Sequence, residues 1–128
     1  MKALIVEDNI FKYAAVKRAV AKWNDFIFIH ASTLANAKKM IEETYKADGH
    51  FDLIVTDMSY PEQSGGDINP HAGFLLIEWI SSLGLHIPVI ICSSEKFQAD
   101  FSHHVIGSVR YSKKTDMDRE FQTLLHNL

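Results

Sequence analysis

Three apolar runs in this chain stop abruptly at residues able to do chemistry. Ala3-Leu4-Ile5-Val6 ends at Glu7-Asp8, Leu53-Ile54-Val55-Thr56 at Asp57, and Pro88-Val89-Ile90-Ile91-Cys92 at Ser93-Ser94. Short apolar runs bounded by polar residues are the pattern of parallel strands buried on both faces. With two further strand-like segments the pattern predicts five strands, at 2–6, 26–30, 51–56, 87–92 and 105–111.

Helical periodicity fills the intervals. Tyr13, Val16, Val20 and Trp23 recur at helical spacing, as do Leu34, Ala37, Ile41 and Tyr45 after Ser32 or Thr33 as N-cap. Phe74, Ile77, Ile80 and Leu83 mark a third helix, and 95–102 leaves room for a short fourth. Met117, Phe121, Leu124 and Leu128 give the last helix its apolar face, with Thr115 or Asp116 as its cap. Strands alternating with helices imply an α/β fold around a parallel sheet. In such sheets the ligand site lies beyond the carboxyl ends of the strands, so Glu7, Asp8, Asp57 and Ser93 are expected to converge on one edge. The stretch 62–72, rich in turn formers (Gly65, Gly66, Asp67, Asn69, Pro70), follows on that edge and is expected to be irregular.

Composition narrows the function classes. A chain of 128 residues makes one domain, and a net charge of −3 with scattered basic residues offers no footprint for nucleic acid. No apolar run is long enough to span a bilayer, and Met1-Lys2 leads straight into a strand rather than a signal peptide. Cys92 is the single cysteine, which excludes an internal disulfide and suits a reducing compartment. The expected location is the cytoplasm.

The convergent carboxylates suit a divalent cation. Mg2+ prefers oxygen ligands and is held by one or two carboxylates with water and phosphate; Glu7, Asp8 and Asp57 supply the carboxylates, and the backbone carbonyl of Ser59 can add another oxygen. Asp57 is then a carboxylate nucleophile able to form an acyl phosphate. Transfer of a phosphoryl group rests on positioning and charge neutralisation, for which the metal and the ammonium of Lys113 or Lys114 suffice.

With these motifs the chain resembles the receiver domain of two-component response regulators over essentially its whole length. The acidic pair after the first strand is Glu7-Asp8, within LIVEDN; the phosphoacceptor ending the third strand, with a proline four residues on, is Asp57, with Pro61, in LIVTDMSYP. The Ser or Thr ending the fourth strand is Ser93, five residues after Pro88 and followed by the small Ser94. The resemblance implies a flavodoxin-like, doubly wound five-stranded parallel sheet in the order 2-1-3-4-5 with helices on both faces. It implies phosphoryl transfer to Asp57 from a histidine kinase or histidine phosphotransfer protein, with Mg2+ required. It further implies that Ser93 hydrogen-bonds the phosphoryl group and that Tyr111 is the aromatic residue moving with it.

Three departures accompany the match. In YSKKTD no proline follows either lysine; alternation puts Val109, Tyr111 and Lys113 on one face, favouring Lys113, with Lys114 as the alternative. Gly73 matches the family's glycine before the third helix, which makes 62–72 an insertion. The fourth helix is short. Plainer readings exist for each motif alone: Glu7-Asp8 as a helix N-cap, Asp57 to Pro61 as a strand end and turn, Ser93-Ser94 as a helix start. Cys92 is expected to be a small buried hydrophobe, His103-His104 surface residues, and His71 a loop residue able to approach the site.

The joint pattern favours a single receiver domain over 1–128, without an output domain, signalling to an unknown effector through protein contacts. It would be no enzyme beyond its own phosphorylation and dephosphorylation, and would not bind nucleic acid or membranes. A pseudo-receiver that binds partners without phosphorylation is the alternative. A phosphatase with an aspartyl-phosphate intermediate fits less well, because its acid–base Asp two residues after the nucleophile is here Ser59.

Overall fold

Every one of the five expected strands forms in the computed structural model, which describes residues 1–95, 104–113, 116–126 and 128. In chain order the elements are β1 (Lys2–Val6), α1 (Ile10–Ala21), β2 (Ile27–Ala31), α2 (Leu34–Lys46) and β3 (Leu53–Thr56). Then come β4 (Tyr60–Pro61), β5 (Ile68–Asn69), α3 (Ala72–Ser82), β6 (Val89–Ser93), β7 (Val105–Arg110) and α4 (Met117–Leu125). The main sheet is parallel throughout, in the order β2-β1-β3-β6-β7. With the β4–β5 pair set aside, this is the flavodoxin-like order 2-1-3-4-5.

Strand alternation divides the core into two halves. Leu4, Val6, Ile54, Val89 and Ile91 face α2 and α3, where Leu34, Ala37, Ile41, Leu76, Ile77 and Ile80 are buried. Ala3, Ile5, Val55, Ile90, Cys92 and Val109 face α1 and α4, packing on Val16, Ala19, Val20, Phe121 and Leu125. Burying a large aliphatic side chain contributes roughly 1.5–3 kcal/mol, so both faces of the sheet hold the strand ends rigidly in register. On β7, Gly107 leaves room for Leu124 of α4, which a Cβ there would strike.

The helix ends differ from the periodicity. Trp23, Leu83 and Leu128 lie beyond their helices and are partly exposed; Trp23 instead donates its indole N–H to the Asp118 carbonyl at 2.9 Å. Thr33 caps α2 and Asp116 caps α4 through side-chain oxygens. The expectation of an irregular stretch at 62–72 is corrected in part. Tyr60 and Pro61 pair antiparallel with Asn69 and Ile68, and Gly65 turns the chain between them with φ +79°. His104, expected on the surface, is buried and its ring sits 5.7 Å from that of His86. The short fourth helix expected at 95–102 lies outside the described residues except for Glu95, as do His103, Lys114 and Thr115.

Candidate functional site

Val6 and Thr56 are partners in adjacent parallel strands, so the residues that follow them emerge side by side. Two backbone bonds continue the sheet past its ends: Glu7 N–H donates to Ala31 O at 2.9 Å, and Asp57 N–H to Val6 O at 3.1 Å. Asp57 Oδ1 accepts from Met58 N–H at 2.7 Å, which orients the carboxylate. Glu7, Asp8 and Asp57 each offer an oxygen, all within 4.8 Å of one another. Glu7 is buried, Asp57 half-buried and Asp8 exposed. Three carboxylates that run from buried to exposed form an oxygen donor set that fits Mg2+.

The plain helix-cap reading of the acidic pair does not hold. Asn9 caps α1, its Oδ1 accepting from the amides of Phe11 at 3.0 Å and Lys12 at 3.1 Å. Glu7 Oε1 accepts instead from the Asn9 amide at 3.1 Å, and its own carbonyl lies 2.7 Å from His30 Nε2. The His30 ring is stacked on Tyr13 at 3.8 Å.

Asp57, Ser59 and Ser93 line one cleft of about 330 Å3, walled by Pro70, His71 and Phe74. Ser93 is buried at the end of β6, and its Oγ accepts from the Glu95 amide at 3.4 Å. Beyond β7 the Tyr111 amide donates to the Ser93 carbonyl at 2.7 Å, tying the two strand ends together. Lys113 lies exposed in the turn that follows. His71, at the start of α3, does reach the cleft wall.

The ammonium that reaches Asp57 among the described residues is that of Lys12, which the sequence patterns had not singled out. Its Nζ lies 3.1 Å from Asp57 Oδ2 and 3.3 Å from Glu7 Oε2. It also stands 5.2 Å from the Tyr111 ring centroid, within cation–π range. The signal was available: Lys12, Val16 and Val20 are spaced four apart on one helix face, and both valines are buried. A lysine interrupting an apolar stripe at the site end of a helix has to find an anion.

Burial dominates the electrostatics of Glu7, pushing its carboxyl up to about 7; Lys12 opposes the shift and the Asp57 charge adds to it. Burial disfavours the charge on Lys12, but Glu7 and Asp57 outweigh it and hold the ammonium above its ordinary value. Cys92 is pushed up to about 12, chiefly by burial, so it is an inert thiol.

The turn carrying Asp57 is braced from below and from the side. Thr56 Oγ1 donates to the Asp57 carbonyl at 2.7 Å and lies 3.0 Å from the buried Tyr60 hydroxyl. Gly73 N–H donates to Met58 O at 3.0 Å, and a Cβ at Gly73 would lie 2.6 Å from the Asp57 carbonyl oxygen. The glycine is needed because helix α3 and the Asp57 turn touch backbone to backbone.

No family model and no curated protein matches the sequence, but solved structures do. A two-component response regulator from Cytophaga hutchinsonii superposes with TM-score 0.73 at 15% identity, covering 99% of this chain and 97% of its own. The phosphorylated cyanobacterial phytochrome response regulator RcpA gives 0.65 at 23% identity, covering 98% and 89%. TrrA from Thermotoga maritima, in complex with Mg2+-BeF, gives 0.67 at 17% identity, covering 96% and 97%. The chain therefore has the fold of CheY-like response regulator receiver domains over nearly its whole length. Among the described residues no helix is long and apolar enough to cross a membrane.

Proposed function

We propose that the chain is a receiver domain in which Asp57 accepts a phosphoryl group from a phosphohistidine of a histidine kinase or phosphotransfer protein. The carrying observation is that the Asp57 carboxylate is held at a strand end beside Glu7 and Asp8 and in one cleft with Ser93. In the transfer an Asp57 oxygen attacks phosphorus, the P–N bond to the donor imidazole breaks, and the imidazole leaves neutral after taking a proton. Glu7, Asp8, Asp57 and the Ser59 carbonyl would hold Mg2+, which when bound neutralises charge on the carboxylates and the phosphoryl oxygens. Ser93 would donate its hydroxyl to the phosphoryl group. Lys113 would supply an ammonium to it, with Lys114 as the alternative. That two structures sharing the fold are a phosphorylated protein and a Mg2+-BeF complex supports this chemistry.

As a single receiver over 1–128 it would signal through protein contacts to an effector, without turning over a released substrate and without binding nucleic acid or membrane. One cysteine, buried and inert, suits a cytoplasmic protein. A second reading, a pseudo-receiver that binds partners unphosphorylated, is favoured by one observation: Lys12 is paired with the Asp57 oxygen that would attack.

Beryllofluoride, which mimics the acyl phosphate, separates the two. In Mg2+ the wild type is expected to give a bound fluorine NMR signal that disappears on chelation and in Asp57→Asn. A folded wild type giving no such signal at saturating Mg2+ would overturn the phosphoacceptor reading in favour of the pseudo-receiver.

A further inference from the structure

The position of the Lys12 ammonium is not explained by helix propensity or by surface solvation. Lys12 is buried, its backbone is fixed by the Asn9 cap, and its Nζ meets oxygens carried by the ends of β1 and β3 together with a ring beyond β7. The two oxygens it touches, on Glu7 and Asp57, belong to two of the three residues in the proposed metal set. Mg2+ binds carboxylate oxygens at about 2.0–2.1 Å, whereas an ammonium 3.1 and 3.3 Å from the same two groups already fills the space between them. Two cations cannot share those oxygens without strong repulsion.

We propose that Lys12 is a built-in counter-ion of the acidic site, which Mg2+ must displace, so that Lys12 sets the metal affinity of the domain. The proposal rests on the metal-binding part of the receiver reading. In the metal-free protein the ammonium balances carboxylates that would otherwise repel each other in a half-buried space. The four-carbon stem is long enough and flexible enough to withdraw. Because the ammonium also lies over Tyr111, its withdrawal changes the surroundings of that ring. Metal occupancy is thereby relayed to the end of β7.

The test is a Mg2+ titration by calorimetry of the wild type, Lys12→Met and Lys12→Arg, with the exposed Lys17→Met as control, while tyrosine ring NMR signals are followed. Lys12→Met, which keeps the stem and removes the charge, is expected to bind Mg2+ at least tenfold more tightly. Lys12→Arg and Lys17→Met are expected to stay within about twofold of the wild type. The Tyr111 signal should shift with Mg2+ in the wild type and respond far less in Lys12→Met. An unchanged or weaker affinity in a folded Lys12→Met, with the wild type binding normally, overturns the role of Lys12 and leaves the receiver reading intact. Absence of binding in both proteins overturns the metal site as well. Should Lys12→Met fail to fold without metal, recovery of its thermal transition in Mg2+ supports the proposal, and failure to recover overturns it.

Discussion

Replacing Gly73 by alanine sets two effects of opposite sign against each other, and the structure decides between them. Gly73 is the second residue of α3, and alanine in a helix interior is favoured over glycine by about 0.5–1 kcal/mol. Against that, the new Cβ would stand 2.6 Å from the Asp57 carbonyl oxygen and 2.8 Å from Met58 Cα, both backbone atoms. The Met58 sulfur, at 2.7 Å, can swing aside, but backbone braced by Thr56 and the parallel sheet cannot. Overpacking of this kind costs typically 1–3 kcal/mol. Because the atoms struck are backbone, the cost lies in the upper part of that range, and the helix gain offsets only part of it, leaving a net loss of up to about 2.5 kcal/mol.

The strain falls on the residue proposed to take the phosphoryl group. Gly73→Ala is therefore expected to lower the urea midpoint without changing the slope of the transition, and to weaken the Mg2+-dependent beryllofluoride signal in the protein that remains folded. A variant as stable as the wild type, or more stable, with an undiminished signal would refute the argument that this contact fixes the Asp57 turn.

Two further outcomes follow from the same geometry. In chelator, stability is expected to fall as pH rises from about 4.5 to about 7: folded Glu7 keeps its proton up to about 7 whereas the unfolded group releases it near 4.5, so the folded state holds the extra proton across that window. The loss has a ceiling of about 3 kcal/mol, from a gap of two and a half pH units at about 1.4 kcal/mol each; urea melts at pH 5 and pH 7.5 measure it, and Glu7→Gln should flatten the difference. Asn9→Ala leaves the Phe11 and Lys12 amides without their acceptor. It is expected to cost about 1 kcal/mol in denaturant unfolding, and a loss below 0.3 kcal/mol would mean water replaces the cap.

The parts of the fold that were legible are those fixed by burial. Parallel strands covered on both faces have to be apolar at every position, so Leu4, Ile54 and Ile90 announce their strands. Helix faces on a sheet need only one stripe, and the stripe says little about where the helix ends; Trp23, Leu83 and Leu128 keep the spacing beyond helices that have already stopped. The β4–β5 pairing escaped notice because two residues on each side show no alternation, and Gly65 and Gly66 signal a turn without saying whether its arms will pair.

The acidic part of the site was legible for a different reason. Carboxylates directly after apolar strands have nowhere to go but the sheet edge, so the meeting of Glu7, Asp8 and Asp57 follows from strand order alone. The cation follows from something less visible. A lysine on an amphipathic helix is ordinarily solvated, and although position 12 continues the Val16–Val20 stripe, the periodicity of α1 does not say which anion a lysine there would meet. What turns it is the unmet charge at the strand ends: a buried Glu7 beside a half-buried Asp57 needs a partner, and Lys12, one turn into α1 from Asp8, is within reach. Cations near such a site therefore have to be sought on the helix that follows the acidic pair as well as on the loop after the last strand. In this chain the two places hold lysines in different environments. Lys113 is exposed to solvent, whereas Lys12 is already against Asp57. An ammonium against Asp57 lowers the negative charge that would attract Mg2+, while it steadies the fold of the acidic site without the ion.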